Sequence, residues 1–291
     1  MQRNLQVLGL LAGLALVQPA WRTVANAAEP VVLARQGSWN LNYDKDGCSL
    51  QAAFGTGDGQ IILQMTRFAP DGGFTISIIG KGMKSDLPES TITVDFGPER
   101  NPQKVDALNG TLGDSPMKIF YRDYGIDDRL NETPDPLPAL TAEQEAAVNW
   151  LEIGARGKVY HLELGRMNKP MIAFRQCTAD LVRSWNLDPA TMANLRSGPL
   201  PLTSPGTWIT SQDYPTEPLR KGNQALVNFR LIIDEAGKVA SCSIQRATQG
   251  PAFEKLTCDK VMKRARFKPA IDATGKPVSS YYLNRAHFVI R

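Results

Sequence analysis

Val227-Asn228-Phe229-Arg230-Leu231-Ile232-Ile233-Asp234-Glu235-Ala236-Gly237-Lys238-Val239 alternates apolar and polar residues, then breaks at an acidic corner that contains glycine. A two-residue period marks a half-buried strand, here Ala225 to Asp234, and Asp234-Glu235-Ala236-Gly237 is the turn into a second strand, Lys238 to Arg246. Beyond it, Cys258, Val261, Met262 and Ala265 recur at helical spacing and predict an amphipathic basic helix around Phe253 to Arg266. A Gly275-Lys276-Pro277-Val278 turn then leads into a last strand that runs to Arg291. The predicted order is strand, strand, helix, strand. Val227, Phe229, Leu231 and Ile233 should face a core, with Asn228 and Arg230 on a wetter side. Three strands and one helix lie near the lower limit for independent stability.

The ordered set Tyr214-Pro215, Leu219-Arg220, Val227/Phe229/Leu231 to Asp234, Gly237-Lys238-Val239, Arg264-Ala265-Arg266-Phe267-Lys268-Pro269-Ala270 and Gly275-Lys276-Pro277-Val278 resembles the carboxy-terminal domain of the TonB energy-transducer family of Gram-negative bacteria. The resemblance covers about residues 207–291. It implies a ββαβ fold, no cofactor and no covalent chemistry. It also implies capture of an extended segment of an outer-membrane TonB-dependent receptor, or another periplasmic polypeptide, during transmembrane transport. The last strand of the family serves as the docking edge, which places contacts here on Tyr281, Tyr282, Leu283, Asn284, Arg285, Ala286, His287, Phe288 and Val289, with Arg264 and Arg266 beside them. A strand edge offers N–H and C=O groups to an incoming chain, the β-augmentation mode. Where the family has a glycine before the first strand, this chain has Gln224 and Ala225. No membrane-spanning amino terminus or long Pro-rich spacer is evident, so a soluble adaptor is expected rather than a force transducer.

The amino terminus reads as a secretory signal. Arg3 supplies the positive end, Leu5 to Val17 the apolar core, and Ala25-Asn26-Ala27 the small-x-small cleavage site, predicting residues 1–27 as a signal peptide. A periplasmic protein follows, with membrane contact only through partners; an uncleaved signal would instead anchor it in the inner membrane. A formal charge of +4 over 291 residues argues against nucleic acid as the main partner. Four cysteines in an exported chain suggest two disulfides. Of the three possible connectivities, Cys48–Cys177 with Cys242–Cys258 keeps each bridge within one half of the chain.

Two domains are expected, joined by a Pro-rich linker over 186–206. Residues 29–185 belong to no recognised family and read as α+β, a mainly antiparallel sheet with two helices. Cys48 to Phe54, Gln60 to Phe68, Phe74/Ile76/Ile78 and Ile92/Val94/Phe96 alternate as strands, the third entered through Pro70-Asp71-Gly72-Gly73. Thr141 with Gln144 makes a capping box for a helix through Leu151, and Lys158 to Leu164 is another strand. Met171, Phe174, Leu181 and Trp185 fall at helical spacing with Cys177 on the same face.

No catalytic constellation stands out. Asn42-Tyr43-Asp44-Lys45-Asp46-Gly47 matches half of a calcium loop, but position twelve is Ala53 where a bidentate acid is needed, so a turn is expected and no metal. Gly55-Thr56-Gly57-Asp58-Gly59 precedes a strand rather than a helix and lacks a phosphate-binding ending. His161 and His287 lie in different halves, each within a strand. Asp123, Asp127 and Asp128 near Tyr121 and Tyr124 read as an acidic solvated loop, and Lys260 to Lys268 as a solvated basic face. The rival reading is a periplasmic hydrolase or small-ligand binder in residues 29–185, with the TonB-like module as its targeting device.

Overall fold

The alternating strands of the first half close on themselves. The computed structural model describes residues 29–70, 73–122, 126 and 140–290. The signal segment, the acidic loop around Asp123, Tyr124, Asp127 and Asp128, the Asp71-Gly72 turn and Arg291 lie outside the described residues. Nine strands form a barrel: β1 (Val31–Tyr43), β2 (Cys48–Phe54), β3 (Ile61–Arg67), β4 (Phe74–Ile79), β5 (Glu89–Phe96), β6 (Gln103–Leu112), β7 (Ser115–Arg122), β8 (Trp150–Ala155) and β9 (Lys158–Glu163). Their spatial order is β1-β2-β3-β4-β7-β6-β5-β8-β9, and parallel pairing of β1 with β9 closes the ring. Leu50, Leu63, Ile76, Val94, Phe120 and Leu162 fill the interior. Closure leaves no edge on that sheet.

The described residues of this half hold the α-helices α1 (Ala142–Ala147) and α2 (Asn168–Ser184). The capping box at Thr141 and Gln144 is present. The helix ends at Ala147, however, and Leu151 lies in β8, where it and Ile153 point inward while Glu152 points out. Strand alternation thus overrides the helix that the capping box begins. α2 lays Met171, Phe174, Cys177 and Leu181 against the barrel core. The Phe74 and Phe174 rings sit 5.7 Å apart, and a disulfide links Cys48 to Cys177.

The stretch after α2 does not hang free. It forms α3 (Pro189–Ala193) and β10 (Leu200–Pro201), and Ser197 bridges to Ile271. After α4 (Thr216–Arg220), β11 (Ala225–Ile233) and β12 (Val239–Ala247) precede α5 (Pro251–Arg264). Short pieces β13 (Phe267–Lys268), β14 (Ala270–Ile271) and β15 (Pro277–Val278) lead to β16 (Ser280–Phe288). β10 pairs with β13 and β14 with β15, while the main sheet has the order β12-β11-β16. The two-strand, helix, strand order is therefore embellished by three short strands and a one-turn helix. Gly237 adopts φ +76°, and a Cβ there would lie 2.0 Å from the Phe267 carbonyl oxygen, so the β11–β12 turn requires glycine.

Val227, Phe229, Leu231 and Ile233 pack towards α5 as expected. The α5 stripe is Phe253, Thr257, Val261 and Ala265, and Met262 is exposed rather than buried. Thr257 enters the core because its hydroxyl donates to the Phe253 carbonyl (2.8 Å). The other face of β11 is not wet: Asn228 and Arg230 are each 8 % exposed. The barrel covers them. The Arg230 guanidinium lies 4.2 Å over the Trp185 ring and 3.8 Å from Asp46, and Trp185 meets Tyr281 edge-on at 5.2 Å. Ile232 and Leu283 pack against the barrel core cluster. Burial lowers the pKa of Arg230, and Asp46 opposes that shift.

A second disulfide joins Cys242 on β12 to Cys258 on α5. The bridges close segments of very different length, 129 and 16 residues apart in sequence. Chain entropy assigns about 5 kcal/mol to the longer and about 3 kcal/mol to the shorter. Replacing Cys48 and Cys177 with alanine should therefore lower the urea midpoint more than replacing Cys242 and Cys258, in unfolding curves followed by circular dichroism.

Candidate protein-binding edge

The three-stranded sheet has two outer strands, and they differ in what they offer. β12 pairs with β11 through two register shifts, which leave Ala240 and Gln245 as extra residues on β12. Bulges of this kind bend a strand and blunt its edge. Gln245 directs its amide to barrel carbonyls, donating to Asp46 (3.2 Å) and Phe68 (3.1 Å). The Cys242–Cys258 bridge holds the same strand to α5.

β16 is regular. It pairs with β11 from Ser280↔Ile233 to Phe288↔Ala225 without a shift. Among the described residues no strand pairs with its other flank. The structure thus brings Tyr281 to Phe288 into one continuous edge strand, while Val289 follows the end of the strand.

Side chains of β16 anchor it on both faces. On one, Tyr281 meets Trp185, the Arg285 guanidinium lies 4.1 Å over the Tyr121 ring, and His287 Nε2 sits 3.7 Å from Glu89. On the other, Tyr282 packs against Phe267 (4.9 Å) and Trp208 (5.8 Å), and Phe288 against Phe253 (4.9 Å). Burial raises the pKa of the Tyr282 phenol and, at the barrel, that of Tyr121. A crevice of about 520 Å³ lies between β16 and the barrel, and a recess of about 250 Å³ lies beside Trp208.

Arg264 and Arg266 make their contacts within the module. Arg264 pairs with Asp213 through both guanidinium nitrogens and donates to the Trp208 carbonyl (2.9 Å). Lys260 joins the same carboxylate at 2.7 Å. This knot fixes the segment that carries Trp208 against α5. Arg264, backed by Lys260, holds the Asp213 carboxyl well below the usual carboxylate range. The Arg266 guanidinium folds onto the Lys263 and Ala265 carbonyls. Much of the basic run is therefore engaged within the module.

Both histidines face a glutamate that spacing did not announce. Glu152 and His161 are cross-strand partners in the β8–β9 hairpin, with Nδ1 2.9 Å from Oε1. Arg100 grips the same carboxylate at 2.6 and 2.8 Å and holds its pKa below the usual value, and Trp150 stacks on His161. A carboxylate kept ionised in this way suits a clamp for the Arg100 loop better than a general acid. Their opposition in register could be found from sequence only once the hairpin was recognised. Asn42 to Gly47 closes as a turn, with Asp44 N–H donating to the Gly47 carbonyl (2.9 Å). No cluster of metal-ligating side chains occurs among the described residues.

Residues 210–290 match the model of the Gram-negative bacterial TonB protein C-terminal family. They hold α4, β11, β12, α5 and β16, the elements that build the edge. The match points to a TonB-like protein-interaction role in the periplasm for this part of the chain. No curated protein and no solved structure matches the chain. Among the described residues no helix is long and apolar enough to cross a membrane.

Because Asp213 is depressed, its pairing stabilises the fold above the unfolded carboxylate pKa of about 4 and loses that contribution as pH falls further. Asp213→Asn should cost on the order of 2 kcal/mol at neutral pH, less than a fully buried pair because its partners are partly exposed. Urea midpoints of the two proteins should converge towards pH 3.

Proposed function

We propose that this chain is an exported periplasmic adaptor that captures an extended segment of an outer-membrane TonB-dependent receptor by adding it to the open flank of β16. The observation that carries this reading is the contrast between the two outer strands: β12 is bulged and clipped, whereas β16 runs straight and has no strand on its far side among the described residues. Backbone groups of β16 would give affinity and its flanking walls selectivity. The family match over residues 210–290 supports the partner class, and the signal-like amino terminus supports export. In this reading the barrel is a separate domain that braces the module, and the binding step needs neither cofactor nor bond-making chemistry.

The alternative, a hydrolase or small-ligand site within residues 29–185, finds less support. Large apolar side chains fill the barrel interior, and the pKa of Glu152 is lowered rather than raised.

Consecutive residues of an edge strand direct their N–H and C=O groups alternately to the neighbour and to the open side. Of Ala286→Pro and His287→Pro, one therefore breaks the β11 ladder and the other obstructs only the open flank. The variant that keeps wild-type circular dichroism and urea midpoint should lose about tenfold or more of its capture of identified TonB-dependent receptors from a detergent extract of outer membranes. Equal capture by that folded variant and the wild type would show that the flank is not used.

A further inference from the structure

We infer that Trp185 is a positioning residue for capture: from the end of α2 it sets the height of the first part of β16 above the barrel, and with it the gap that an added strand must enter. This inference rests on the edge reading above and names a residue on which that edge depends. Tyr281, Tyr282, Leu283, Asn284 and Arg285 follow one another along the crevice of about 520 Å³, and Thr75 and Tyr121 line it from the barrel. A strand added to β16 would lie about 4.8 Å from it, in a layer that faces the barrel at a sheet-to-sheet spacing of about 10 Å. Such a gap admits a chain only when the edge stands at the right height. Holding the edge there beforehand removes the need to order it on binding.

Trp185 is placed for that task. It caps α2, its N–H donating to the Leu181 (3.2 Å) and Val182 (3.1 Å) carbonyls, and Asn186 beyond it turns the chain at φ +60°. The helix is fixed to the barrel, because Cys177 is bonded to Cys48 on β2 and Phe174 packs on Phe74 of β4. The indole is buried and touches two strands of the module. Ile232 pairs with Tyr281 and Arg230 with Leu283, so Arg230 and Tyr281 are diagonal neighbours on the barrel-facing side of β11 and β16. One ring serves both: the Arg230 guanidinium lies 4.2 Å over it, and Tyr281 meets it edge-on at 5.2 Å. A guanidinium favours the electron-rich face of a ring, and two rings favour an edge-to-face approach, so both contacts call for an aromatic rather than any apolar side chain. Tyr281 lines the crevice, whereas Trp185 does not. The influence of Trp185 on a captured chain therefore passes through Tyr281.

The test uses the full chain and sets capture of identified TonB-dependent receptors from a detergent extract of outer membranes against the urea midpoint. Trp185→Leu should lower capture by about tenfold, and Trp185→Phe, which keeps a ring, should stay within about threefold of wild type. Where Trp185→Leu does not fold, Trp185→Met fills more of the space with a flexible chain and carries the same expectation. Ile153→Ala is the control for stability alone: Ile153 is buried in β8, which pairs with β5 and β9. That variant should lower the midpoint and leave capture by the folded protein unchanged. Wild-type capture by Trp185→Leu overturns the inference. So does a Trp185→Phe variant as weak as Trp185→Leu, or an Ile153→Ala variant that loses as much capture as Trp185→Leu. Loss of capture in the folded proline variant beside wild-type capture by Trp185→Leu removes this inference and leaves the edge reading. Wild-type capture by the folded proline variant removes both.

Discussion

Everything in the carboxy-terminal half depends on covering a sheet that has two faces and only one helix. α5 shields the face bearing Val227, Phe229, Leu231 and Ile233. The opposite face carries Asn228 and Arg230, which in water would leave a thin layer of structure. The barrel supplies the missing cover, and the contacts are chosen for groups that keep their polarity when buried. Arginine suits that role because its weakly hydrated, planar guanidinium can lie on an aromatic ring, as Arg230 does on Trp185, Arg285 on Tyr121 and Arg246 on Phe68. The same docking that stabilises the sheet orients its outer strands, one against barrel carbonyls and the other beside the crevice.

The parts of the fold that were legible in sequence are those whose signal is local. β2 runs from Cys48 to Phe54 as its alternation indicates, and α2 carries the apolar face read from Met171 to Trp185. Both disulfides also follow from compartment and chain position. What was not legible is non-local. The exposed 13-residue β1 carries little alternation, and nothing in it announces parallel pairing with β9. Lys118 points into the barrel and is 1 % exposed, held by Ser90 (2.8 Å) and Asn109 (2.6 Å), a placement that its charge argues against until those partners are known. Asn228 and Arg230 read as a solvated face because alternation reports only that two sides differ, not that a second body lies against the polar one.

The candidate edge was legible in part for the same reason. Its position as the last strand follows from the order of elements, and its regularity from the unbroken pairing with β11. The family resemblance placed Arg264 beside it, and the structure pairs its guanidinium with Asp213, 51 residues away. The bulges that disqualify β12 arise from single extra residues, Ala240 and Gln245, which no composition or period singles out. Choosing between the two outer strands therefore needs coordinates.

Neither sulfur bridge spans the seam between the barrel and the module; each is internal to one body. Oxidation consequently hardens both pieces and leaves the joint to ring stacking, the apolar packing of Tyr281, Ile232 and Leu283, a few hydrogen bonds and ion pairs, and the backbone between them. The nine residue pairs of β16 with β11 lie wholly within the module, so that pairing does not tie it to the barrel. Both covalent links would be kept if the two bodies parted there.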